Sequence, residues 1–159
     1  MEINLMSRIP SRCNFAALAA FVFAAFTVAV HAAPDGWKDD FDAAVKAAKD
    51  SGKHVLVDFT GSDWCGWCIR LTDEVFSKSA FKEFAEENLI LVKVDFPRGK
   101  ELPAEVMQRN RELAQEYGVR GFPTIVILDS EGKEVARTGY RRGGAEAYVK
   151  HLKELLAAT

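Results

Sequence analysis

Cysteine is scarce in this chain, three among 159 residues. That is too few for a secreted module in which a disulfide scaffold replaces a core. An excess of charge of one sign is missing as well: 21 Lys and Arg stand against 23 Asp and Glu, a formal net charge of −2. So even a balance excludes a protein that holds nucleic acid mainly by neutralising phosphates. The sequence has no internal repeat and no low-complexity stretch. What is present, 48% hydrophobic and 28% charged residues, fits one ordinary globular domain.

An odd cysteine count implies either an unpaired thiol or a cysteine absent from the mature protein. The N-terminal region favours the second. Arg8 and Arg12 precede an uncharged run from Phe15 to Val30, followed by His31-Ala32-Ala33-Pro34. This is the pattern of a secretory signal peptide, with Val30 and Ala32 as the small residues that the peptidase site admits. Residues 1–32 are expected to be the leader and residues 33–159 the mature domain. An uncleaved anchor is the alternative, because the run is only slightly short of the roughly 20 residues of a spanning helix. Either way the protein is expected to be exported: periplasmic in a Gram-negative source, otherwise secreted or membrane-anchored. Cys13 departs with the leader, and Ser11-Arg12 before it do not suit a lipid-attachment site. Cys65 and Cys68 remain, so the mature thiols form one Cys-x-x-Cys.

Periodicity supplies the elements. Trp37, Phe41, Ala44, Val45 and Ala48 recur at helical steps, with Asp39 and Asp40 in the first turn and Ser51-Gly52 as the stop. His54 to Thr60 and Leu89 to Phe96 are nearly continuous apolar runs, as in strands covered on both faces. A helix is expected from the cysteine pair to about Val75, broken at Ser77-Lys78-Ser79, with a further stretch from Ala80 to about Asn88. After a helix from about Ala104 to Tyr117 come two short strands, Thr124 to Leu128 and Lys133 to Thr138, around Asp129-Ser130-Glu131-Gly132. Gly143-Gly144 opens a last helix with Tyr148, Leu152 and Leu155 on one face. Strand, helix, strand implies a parallel, right-handed crossover, and the whole order calls for an α/β mixed sheet with helices on both faces.

The chemistry is concentrated in Thr60-Gly61-Ser62-Asp63-Trp64-Cys65-Gly66-Trp67-Cys68, where a buried strand hands over to a helix. At a helix N-terminus, unpaired N–H groups and the helix dipole stabilise the Cys65 thiolate, which can then attack a disulfide. Cys68, one turn on, can attack the mixed disulfide that results. Competing uses of the motif fit less well. Zinc needs four ligands and no second cysteine pair exists, while c-type haem needs His where Ile69 stands. A structural disulfide would close too short a loop to add much stability. Asp58 shares a strand face with Leu56, so it is either a buried acid with a raised pKa or a strand-end carboxylate that reaches solvent. Lys93, near Asp95, fits best as a strand-edge lysine.

These segments, together with Tyr117-Gly118-Val119-Arg120-Gly121-Phe122-Pro123-Thr124 and Gly139 after the hairpin, resemble the thioredoxin superfamily over nearly all of the mature chain. The approach to the motif and its exit at Val75-Phe76-Ser77 are most similar to exported thioredoxin-like proteins related to bacterial disulfide reductase domains. The resemblance implies a thioredoxin fold with an extra N-terminal helix. It implies a cis-proline at Pro123 beside the cysteine pair, and a Phe122 backbone that pairs with an extended substrate. Asp58 would accept the proton of Cys68. Trp64, Gly66 and Trp67 would contact the partner protein, though Trp64 serves equally well as a packing residue. The central Gly-Trp lacks an imidazolium, which leans the pair toward reduction. The expected activity is thiol-disulfide exchange on exported proteins, with an oxidase or isomerase, or a non-enzymatic binding module, as alternatives. No organic cofactor or metal is called for. Electrons would come from a partner protein such as a membrane electron relay. The loop from Pro97 to Pro103 is longer than in a minimal thioredoxin and is a candidate for shaping partner choice.

Overall fold

Two apolar runs in the sequence become the centre of a five-stranded sheet. The computed structural model describes residues 36–158; the leader expected over residues 1–32, with Cys13, lies outside the described residues. In chain order the elements are β1 (Trp37–Lys38), α1 (Phe41–Ser51), β2 (His54–Thr60), α2 (Gly66–Leu71), a π-helical turn (Thr72–Phe76), α3 (Ser79–Asn88), β3 (Leu89–Asp95), α4 (Ala104–Glu116), β4 (Thr124–Leu128), β5 (Glu134–Thr138) and α5 (Gly144–Ala157). The strands lie in the order β1-β3-β2-β4-β5. β3 runs parallel to both β1 and β2, whereas β4 is antiparallel to β2 and to β5. This is the mixed sheet of the thioredoxin fold.

The twofold alternation of strand side chains separates two cores. Val55, Val57 and Phe59 point to one face, with Val92, Val94, Val126 and Leu128, and are covered by Phe41, Ala44 and Ala48 of α1 and Leu113 of α4. Leu56 points to the other, with Leu89, Leu91, Ile125 and Ile127, beneath Leu71, Phe76, Phe81, Tyr148 and Leu152. Helices therefore cover both faces, and Asp58, in step with Leu56, faces the side covered by α2 and α5.

Two departures from the sequence reading have local causes. Trp37 does not begin the first helix. The Asp40 carboxylate accepts the Ala43 N–H at 3.0 Å and so caps α1 at Phe41, leaving Trp37 to pair in register with Leu91. Its ring is buried 5.0 Å from that of Phe76. The helix that begins after Cys65 also winds differently toward its end: the Ser77 N–H bonds back to the Thr72 carbonyl at 2.9 Å, the five-residue step of a π-turn. That step turns Val75 and Phe76 into the core ahead of the break expected at Ser77.

Candidate active site

At the end of β2 the chain makes one tight turn, in which the Gly61 carbonyl accepts the Trp64 N–H at 3.2 Å and the Cys65 N–H at 2.9 Å. Cys65 is left in extended backbone as the N-cap of α2, and its Sγ accepts the Cys68 N–H at 3.3 Å. The two cysteines form a disulfide, their Cα atoms 5.2 Å apart. Cys65 is 7% exposed and Cys68 only 2%, so both are shielded and Cys65 is the less buried of the two. Reduced, Cys65 would keep an N–H donor aimed at its sulfur, which favours the thiolate.

The aromatic residues around the pair are well fixed. Trp67 is 50% exposed, in ring contact with Tyr140 at 5.1 Å, whose hydroxyl donates to Glu74 at 2.7 Å. Trp64, 37% exposed, donates from Nε1 to the Phe96 carbonyl at 2.8 Å and meets the Phe122 ring edge-on at 6.0 Å. Its indole packs against Gly61, where a Cβ would come about 2.5 Å from Cε2. The bond between Phe122 and Pro123 is cis, and Phe122 stacks on Phe96 at 5.1 Å. Gly66, the first residue of α2, is exposed with open space around its Cα.

The loop after β3 is tied directly to the approach to Cys65. Asp63 accepts the N–H groups of Arg98 at 3.0 Å and Gly99 at 2.6 Å, and the Arg98 guanidinium lies 3.7 Å above the Trp64 ring. One residue earlier, Ser62 donates its N–H and hydroxyl to Asp95, which also pairs with Lys100 at 3.3 Å. Sequence patterns do not reveal the partners of Ser62, Asp63 and Trp64, because these lie more than thirty residues away and follow no period.

The Arg98 and Gly99 N–H groups hold the Asp63 carboxyl below its ordinary value of 3.8. A carboxyl depressed on folding contributes stability above its unfolded pKa and loses it as pH falls through the lower folded value. The tether is therefore expected to be complete at neutral pH and to fail only below about pH 4. Asp63→Ala is expected to speed amide hydrogen exchange at Arg98 and Gly99 about tenfold at pH 7. The amides of β4 serve as the internal reference, and equal rates in variant and wild type would dismiss the tether.

Asp58 is 3% exposed, so it does not reach solvent, and its Oδ1 has no hydrogen-bond partner. Burial pushes its pKa up to about 7, against the pull of the Lys93 ammonium and with a smaller push from Asp95. Lys93 sits directly beside Asp58 in the parallel register, and its Nζ lies 5.7 Å from the Trp37 ring centroid. β1 pairs with Leu91 and Val92 only, so Lys93 lies half-buried just past the end of that pairing. Among the described residues no three His, Cys, Asp or Glu side chains cluster to hold a metal.

A two-thiol pair in which one cysteine is less buried than the other passes electrons by exchanging disulfides. That chemistry defines the class, a thiol-disulfide oxidoreductase. A model of the thioredoxin-like domain matches residues 41–155, and the chain belongs to that family. It is 43% identical over 118 residues to the disulfide bond reductase DsbH of Chlamydia pneumoniae, covering 74% of this chain and 71% of that relative. A solved DsbH oxidoreductase superposes with a TM-score of 0.73 at 40% identity, covering 81% of this chain and 92% of that one. An H-type thioredoxin of Oryza sativa subsp. indica is 34% identical over 116 residues, 72% of this chain and 82% of its own length.

Proposed function

We propose that this protein reduces disulfides of exported proteins, and that it does so in the periplasm when the source is Gram-negative. The observation that carries the reading is the Cys65 sulfur, capped by the Cys68 N–H and held in a Cys-Gly-Trp-Cys pair with no imidazolium beside it. An N–H donor stabilises the thiolate less than an adjacent cation would, so the reduced pair remains a ready electron donor. The similarity to a disulfide bond reductase supports the same direction.

In the proposed cycle the Cys65 thiolate attacks one sulfur of a client disulfide. A Cys65–client disulfide forms and the client's other sulfur leaves as a thiolate. Cys68 then loses its proton to Asp58 and attacks Cys65 Sγ, which closes the intramolecular disulfide and releases the second client thiolate. Two electrons pass to the client, whose thiolates take up two protons. Trp64, Gly66 and Trp67 form the apolar contact surface for the client, and the backbone of Phe122 before Pro123 pairs with its extended chain. A partner protein, in kind a membrane thiol relay, returns the pair to its reduced form. Residues 1–32 act as a cleaved leader.

Two measurements test this reading. With dithiothreitol as electron source, the protein is expected to reduce insulin disulfides faster than dithiothreitol alone; no acceleration would contradict it. Produced in a Gram-negative host, the full chain is expected in the periplasmic fraction beginning at Ala33, and retention in the cytoplasm would contradict the export.

A further inference from the structure

We infer that Arg98 selects client disulfides that carry an acidic residue beside the reacting cystine. This rests on the reductase reading and adds to it the chemistry of the client. Trp64 immediately precedes Cys65, and the Arg98 guanidinium covers its ring at 3.7 Å. The cation is held there through its own main chain, because its N–H donates to Asp63 at 3.0 Å while the neighbouring Gly99 N–H donates to the same carboxylate at 2.6 Å. The indole beneath is fixed in turn by its bond to the Phe96 carbonyl. A guanidinium stacked by its face on an aromatic ring keeps its N–H groups free around its rim, in the plane that suits a carboxylate.

No carboxylate of the protein itself fills that place. Among the described residues Arg98 has no ion-pair partner, and the nearby acids are engaged: Asp63 with the two N–H groups, Asp95 with Ser62 and Lys100. The surrounding charge has the same sign. Arg120 stands exposed two residues before Phe122 in the wall of an open groove of about 610 Å³ that includes Pro123. Arg141 and Arg142 stand exposed after Tyr140, the residue packed on Trp67. Arg98, Arg120, Arg141 and Arg142 thus stand on segments that adjoin Trp64, Phe122 and Tyr140, while the acids Asp63, Glu74 and Asp95 are each engaged by a donor of the protein. The occupant that complements it is an extended, acidic client segment. Paired along Phe122, whose ring meets Trp64, such a segment passes the indole that carries Arg98.

The test uses two synthetic peptide disulfides that differ only in Glu or Gln next to one cysteine, reduced by the wild type, Arg98→Gln and Arg98→Lys. The wild type is expected to favour the Glu peptide about fivefold in kcat/KM at low ionic strength, the scale on which rim charges steer association. The ratio is expected to collapse toward one in Arg98→Gln, to survive in part in Arg98→Lys, and to fade for the wild type in about 0.5 M salt. Equal wild-type rates on the two peptides would overturn the inference alone. So would an equal loss on both in Arg98→Gln, which would reduce Arg98 to a support for Trp64. Reduction of neither peptide by the wild type would overturn the reductase reading and the inference with it.

Discussion

Cys68→Ala is expected to abolish turnover and to leave client proteins covalently bound to Cys65. In the structure Cys68 is the more deeply buried member of the pair, 2% exposed, with its N–H directed at Cys65 Sγ 3.3 Å away. A client therefore meets Cys65 first, and only Cys68 is placed to release it. Without that thiol the mixed disulfide persists, because no other cysteine lies in the described residues. Periplasmic extracts run without reductant are expected to show a ladder of adducts that dithiothreitol dissolves. Cys65→Ala in the same background is expected to trap nothing. A complete lack of adducts from Cys68→Ala would contradict a Cys65-first mechanism.

Asp58→Asn is expected to stabilise the protein at alkaline pH while slowing the release step. Burial raises the Asp58 pKa from 3.8 to about 7. A carboxyl with a folded pKa above its unfolded value binds its proton more tightly in the folded state. Stability is then greatest below about pH 4, falls as pH rises to about 7, and changes little beyond. The ionised acid costs on the order of 4 kcal/mol at pH 8 by the size of that shift. An amide escapes the ionisation but leaves its own polar atoms unpaired, so a net gain of about 3 kcal/mol is expected. Urea denaturation at pH 5 and pH 8 reads this directly: the gain appears at pH 8 and shrinks at pH 5. A gain equal at both values would mean that the carboxyl does not titrate in that window.

The kinetic half of this prediction bears on the proposed proton transfer from Cys68. General bases contribute at least about a hundredfold where transfer limits the rate, so a loss of that order is expected near pH 7. The loss should shrink as pH rises and solvent hydroxide deprotonates Cys68 unaided. A pH profile identical to that of the wild type would remove Asp58 from the mechanism.

Local chemistry was legible in the sequence because it is written in neighbouring residues. The motif from Gly61 to Cys68 carries its own turn and cap, and the apolar runs of β2 and β3 announced strands buried on both faces. Asp58 was placed on the correct face by parity with Leu56, although parity alone did not separate burial from a strand-end position. What the sequence hid depends on partners far away along the chain. β1 is two residues long and has no periodicity of its own, being defined by pairing with Leu91 and Val92. The neighbour of Lys93 is equally hidden, since only the parallel pairing of β2 with β3 sets it beside Asp58. The clasp between Asp63 and the Arg98-Gly99 loop is another such case, linking residues 35 and 36 positions apart. Nothing at either end reveals the other.

Whether the Cys65–Cys68 pair gives electrons to clients is read from its reduction potential, measured by equilibrating the protein with defined ratios of reduced and oxidised glutathione. A value near the thioredoxin level of about −270 mV is expected, which favours electron flow to client disulfides. A value near the about −120 mV of a strong disulfide donor would correspond to a change of roughly five orders of magnitude in the exchange equilibrium and would contradict the direction proposed here.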